Sequence, residues 1–168
     1  MKNTALTLVM VSGLCLTSLA QTAAPLQAFD SSNRAIGRVM NSTFPFAGAA
    51  IVIRTVDSTS VGLPVDRGGF LEIPGSSINY FFTTPDCSGR AYMDVTGLPR
   101  VAVITNGIAL FGRDPARKLT IASIRQDTFD GTTVTPGTCT SAGFQQWVGR
   151  ATSYNLADLG FTSPFEIK

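Results

Sequence analysis

The sequence predicts an all-β fold: a single small antiparallel β-sandwich or barrel-like domain with one disulfide. Three observations lead there. Short runs rich in Val, Ile, Thr and aromatic residues recur between clusters of turn formers. Sixteen Gly and nine Pro interrupt the chain at intervals too short for most helices. Two cysteines, Cys87 and Cys139, follow an N-terminal segment that reads as an export signal.

That segment comprises residues 1–20. Lys2 supplies the positive start, Ala5 to Leu19 is apolar apart from Thr and Ser, and Ser18-Leu19-Ala20 offers small residues for cleavage after Ala20. The apolar run is shorter than the roughly 20 residues a membrane-spanning helix needs. Cys15 lies inside it behind Leu14, which does not suit lipid attachment, so Cys15 is expected to leave with the signal. Removing 20 of the 168 residues leaves 148, the usual size of one domain, so residues 21–168 are expected to form a single β-domain. The expected location is secreted or periplasmic, with no membrane insertion after cleavage.

An even pair of cysteines in an oxidising compartment reads as a disulfide, Cys87 to Cys139. The closed loop spans 52 positions, and chain entropy values such a closure at about 4 kcal/mol. That is a large share of a net stability of about 5–15 kcal/mol.

The elements follow in order. Asp30-Ser31-Ser32-Asn33 turns the chain into a strand at Arg34 to Met40. Ala47 to Thr55 carries Ile51-Val52-Ile53, suited to a buried strand. Val61 to Val65 and Phe70 to Ile73 flank Asp66-Arg67-Gly68-Gly69 as a hairpin, and Pro74-Gly75-Ser76-Ser77 leads into Ile78 to Thr83. Ala91 to Val95 and Arg100 to Thr105 come next. Asn106-Gly107 then predicts a type I′ turn into Ile108 to Phe111. Asp114 to Lys118 is the one segment with helical leanings, at most a single turn. Lys118 to Gln126 and Phe144 to Tyr154 are further strands, Asn155 to Gly160 a turn, and Phe161 to Lys168 an edge strand held off the sheet centre by Pro164.

Composition excludes several functions. With 13 basic and 11 acidic side chains the chain is close to neutral, which gives no electrostatic reason to expect nucleic acid or an anionic membrane as partner. Ten of the basic residues are Arg, spread from Arg34 to Arg150 without a cluster along the chain. There is no His, which removes Ser-His-Asp and Cys-His nucleophiles and imidazole metal sites. No catalytic residue, metal ligand or cofactor is therefore assigned.

Weaker chemistry can still be located. Glycoside hydrolysis needs two carboxyl groups flanking the bond. Of the two Glu and nine Asp, most Asp lie in turns, and Asp94 stands out within a strand beside Tyr92. Asp127 to Thr132 resembles a calcium loop in outline, but Phe129 occupies a position that needs an oxygen ligand. Asn41-Ser42-Thr43 fits the glycosylation triplet. Trp147, Tyr80, Tyr92 and Tyr154 are candidates for a sugar-stacking platform, weighed against ordinary packing of strand aromatics. Gln145 and Gln146 before Trp147 favour an exposed ring.

The segment Ile78-Asn79-Tyr80-Phe81-Phe82-Thr83-Thr84-Pro85-Asp86-Cys87-Ser88-Gly89 resembles a motif of small exported bacterial proteins of unknown function. Gly37-Arg38-Val39, Gly137-Thr138-Cys139 and Pro164-Phe165 are similar to further features of that group. The resemblance implies the β-fold and the cystine, and carries no activity or catalytic residue. The functional expectation is an exported non-catalytic β-domain acting by surface recognition or as a structural accessory, with an unknown protein or glycan as partner. The alternatives are a carbohydrate-binding module and a carboxylate-dependent hydrolase.

Overall fold

Alternating apolar residues and tight turns build the chain into two packed sheets. The computed structural model describes residues 25–41, 48–97 and 100–168. The expected signal at residues 1–20, with Cys15, lies outside them, as does most of the Asn41-Ser42-Thr43 triplet.

The first sheet runs in the order β13 (Glu166–Ile167), β1 (Gln27–Phe29), β2 (Ala35–Asn41), β3 (Ala50–Val56), β4 (Thr59–Asp66) and β5 (Gly69–Phe70). A short β8 (Arg100–Val101) also pairs with β4. The second sheet is dominated by β10 (Ile108–Phe129) and β12 (Cys139–Asn155), paired along most of their lengths. Around them lie β6 (Ser77–Phe82), β7 (Tyr92–Asp94), β9 (Val103–Thr105) and β11 (Val134–Thr135). Because β6 pairs with β10 as well as with β7, the strands β10, β12, β7 and β6 form a closed cycle of pairings. Every pairing is antiparallel except β4 with β8. Both halves of the predicted class, sandwich and barrel-like closure, are thus present.

The sheets meet through side chains that alternate onto inner faces. Val61 and Leu63 of β4 pack with Val56 against Ile104, Ala109 and Phe111 of the second sheet, and Leu156 closes that cluster. A second cluster joins Ala28, Ile36, Val52 and Val65 to Phe165, whose ring meets Phe70 edge-on at 5.3 Å. Fully burying each large apolar side chain contributes about 1.5–3 kcal/mol.

Several elements match the sequence reading closely. The Asn106-Gly107 turn has φ values of 51° and 70°, the two left-handed residues of a type I′ turn, and joins Thr105 to Ile108. The Asp30–Asn33 turn is held by Asp30, which accepts the amides of Ser32 and Arg34. Asn155 to Gly160 is a 3₁₀ turn over Leu156–Leu159, capped by the Asn155 side chain.

Other elements are corrected. Asp114 to Lys118 is not a helical turn. It lies within β10, which unites the Ile108–Phe111 and Lys118–Gln126 segments into one strand of 22 residues. Arg113 pairs with Arg150 and Arg117 with Val148, so Asp114, Pro115 and Ala116 oppose the single residue Gly149 as a bulge. A proline at a bulge leaves no ladder donor missing, which is why Pro115 does not end the strand. Arg100–Thr105 is broken at Ala102, its first half pairing with β4 and its second with β10. Phe70–Ile73 contributes only Phe70 to a strand, and Phe161–Lys168 only Glu166–Ile167, which pairs with β1. The strand predicted from Phe144 begins earlier, at Cys139.

Candidate functional site

The disulfide positions one end of the second sheet. Cys87 and Cys139 are bonded with their Cα atoms 5.8 Å apart, fastening the loop between β6 and β7 to the first residue of β12. Pro85-Asp86 shape that loop: Asp86 accepts the amide of Ser88, and Thr84 donates to the Ser88 carbonyl at 2.6 Å. Ser123, wholly buried in β10, donates to the Thr84 carbonyl and accepts the Cys87 amide.

The four aromatic candidates are dispersed. Trp147 on β12 is 51% exposed, opposite Lys118 in the ladder. Phe144, three residues earlier, is 41% exposed and meets Phe81 edge-on. Tyr80 lies under the Arg125 guanidinium, 5.3 Å from its ring centroid, beside a recess of about 250 Å³ that also touches Met93 and Leu110. Burial raises the Tyr80 hydroxyl above its ordinary pKa, Asp127 adds to this, and Arg125 opposes it. Tyr154 packs on the Phe111 cluster. Tyr92 sits elsewhere, on β7 opposite Arg150.

Around Tyr92 the fold assembles a group that the linear sequence conceals. Arg113, Arg150 and Tyr92 form one cross-strand row over β10, β12 and β7. Arg90 and Arg117 join them, with Val148 beneath, around a recess of about 290 Å³. Alternation along β12 assigns Val148 and Arg150 to this face and Trp147 to the other. The four arginines are exposed, and among the described residues none forms an ion pair. Asp114 borders the recess with Pro115, but its carboxylate is held by Arg100 at 2.6 Å. Like charges placed directly opposite in a ladder destabilise it, so the Arg113–Arg150 pair opposes folding.

Gly149 makes the row possible. A β-carbon there would overlap the Arg113 carbonyl oxygen and crowd the Gly112 backbone. Only glycine lets β12 pass the bulge closely enough to bring Arg113 and Arg150 level.

The carboxylates are engaged by neighbours. Asp94 accepts the Thr96 amide, the Thr96 hydroxyl and the Gln146 side-chain amide, each at 2.9 Å. Partial burial would raise its pKa, but those hydrogen bonds hold it below the ordinary carboxylate value. The segment Asp127 to Thr132 is a polar turn: Asp130 accepts the amides of Thr132 and Thr133, and Asp127 pairs with Arg125. Among the described residues no three His, Cys, Asp or Glu side chains are grouped to hold a metal. No known protein family, curated protein or solved structure shows a significant match to this chain.

Proposed function

We propose that this chain is an exported recognition domain, working through its surface rather than through a catalytic centre. Trp147 carries the reading. Its large ring stands half in solvent on a strand paired on both sides at that point, with the Val95 amide donating to the Trp147 carbonyl. Leaving an indole in water forgoes burial energy that a core position would collect, and a rigid, amphipathic ring has little entropy to lose on binding. A glycan is the ligand class that a lone exposed indole suits best, by stacking on a sugar face.

The absence of His from the sequence and the saturation of Asp94 by three donors favour binding over hydrolysis. The signal-like residues 1–20 and the cystine support export. Among the described residues no helix is long and apolar enough to cross a membrane.

The experiment uses Trp147 as its own reporter, since it is the single tryptophan. The oxidised protein is screened on a glycan array, and hits are titrated by indole fluorescence. A saturable shift is expected, and calorimetric titration of both proteins is expected to show binding weakened about tenfold or more by Trp147→Ala, which has no indole to report, at unchanged melting temperature. Array binding that ignores Trp147→Ala, or glycan hydrolysis abolished by Asp94→Asn, overturns the reading.

A further inference from the structure

We propose that the recess beside Tyr92 is an oxyanion site that takes a sugar carrying a carboxylate, sulfate or phosphate group. It lies on the face of β12 opposite Trp147 and goes beyond the reading based on that residue. Arg90, Arg113, Arg117 and Arg150 converge on it from a loop, two points of β10 and one of β12. None forms an ion pair with a carboxylate among the described residues: Asp114 at the rim is committed to Arg100, and Asp94, on the same face opposite Val148, to Thr96 and Gln146. The direct Arg113–Arg150 pairing works against the ladder, and Gly149 is required to permit it. A repulsive row with no internal compensation is explained if an anion supplies the missing charge.

The chemistry of the lining narrows the ligand. All four cations are Arg, although Lys118 stands next in the chain to Arg117. Guanidinium forks bind planar or tetrahedral oxyanions through two parallel hydrogen bonds, which an ammonium cannot do. Tyr92 and Pro115, over the buried Val148, add an apolar wall that suits the CH face of a pyranose. The volume of about 290 Å³ stands at the small end of ligand pockets, enough for one charged ring. A bilayer or a duplex needs an extended basic surface, and the chain as a whole carries only +2.

The test uses the oxidised protein against polygalacturonate, a sulfated glycan of the heparin type and a phosphomannan. Dextran serves as the neutral control, with single-stranded DNA and phosphatidylglycerol vesicles as the other polyanions. At least one acidic glycan is expected to bind, weakening with added salt, while dextran does not. The arm that binds identifies carboxylate, sulfate or phosphate. Arg113→Gln with Arg150→Gln is expected to weaken binding about tenfold or more, and the corresponding Lys pair to restore it only in part. Arg38→Gln with Arg67→Gln, an equal loss of charge on the other sheet, is expected to leave binding intact. Should the paired variant fail to fold, Arg90→Gln with Arg117→Gln provides the same test outside the Arg–Arg row. Binding unchanged by both arginine pairs, equal binding of DNA or vesicles, or no acidic glycan bound overturns the proposal. Acidic-glycan binding that depends on Trp147 but ignores the arginines also overturns it, while leaving recognition through the indole standing.

Discussion

The backbone amide of Cys87 donates to the hydroxyl of Ser123 at 3.0 Å, so the half-cystine is tied to β10 as well as to Cys139. The same hydroxyl donates to the Thr84 carbonyl at 2.6 Å, making Ser123 a buried knot between the loop and the long strand. Ser123→Ala leaves the Cys87 amide and the Thr84 carbonyl without that partner. A loss of about 1–3 kcal/mol is expected, measured by denaturant unfolding with the disulfide intact.

Reduction acts on the same region through the unfolded state. Cys87→Ser with Cys139→Ser frees a loop of 52 positions. The chain-entropy value of about 4 kcal/mol corresponds to a fall of about 10 °C in melting temperature for a domain this size. Calorimetry of the double variant beside the oxidised parent gives the figure. A melting temperature unchanged by the substitutions would show that the bond adds nothing to stability.

How much of this was legible in the sequence depends on how local each signal is. Asn106-Gly107 could be read directly, because only a few residue types accept two successive positive φ angles. The cystine could be read from an even pair of cysteines following a signal-like segment. The length of β10 could not, since Asp114-Pro115 carries the local marks of a break and only the pairing with β12 shows that the strand resumes. The arginine group was hidden for a related reason. Arg113 and Arg150 are brought level by a register that depends on a bulge and on Gly149, and no window of neighbouring residues contains that information.

Gly149→Ala therefore tests the fold and the recess together. The added β-carbon meets backbone rather than a movable side chain, so β10 or β12 must shift. Destabilisation of about 1–3 kcal/mol is expected from overpacking, measured by thermal unfolding.

Acid should weaken the protein through its turn aspartates. Asp30 is buried, which alone would raise its pKa, but the amide, side chain and charge of Arg34 hold it below the ordinary 3.8. Asp86 and Asp130 are lowered by hydrogen bonds within their own turns, from Ser88 and from Thr133 and Thr132. A carboxyl with a depressed pKa stabilises the fold above its unfolded value and loses that contribution as pH falls through the folded one. Melting temperature is expected to vary little with these groups from neutrality to about pH 5 and to fall progressively below about pH 4. Asp30→Asn should flatten part of that decline. A curve that is as steep in the variant as in the parent would remove Asp30 from the account.

The pairing of β1 with β13 constrains how the molecule comes into being. Gln27 and Lys168 exchange backbone hydrogen bonds at 3.0 and 2.9 Å, and Ala28 stands opposite Ile167. A ribosome must therefore have released residue 167 before the outermost ladder of the first sheet can zip. Until then β1 offers an open rim, and Phe165 has not reached Ala28 and Ile36. Such distant partners make folding slow, because loop-closure entropy is lost before the ladder's contacts can form.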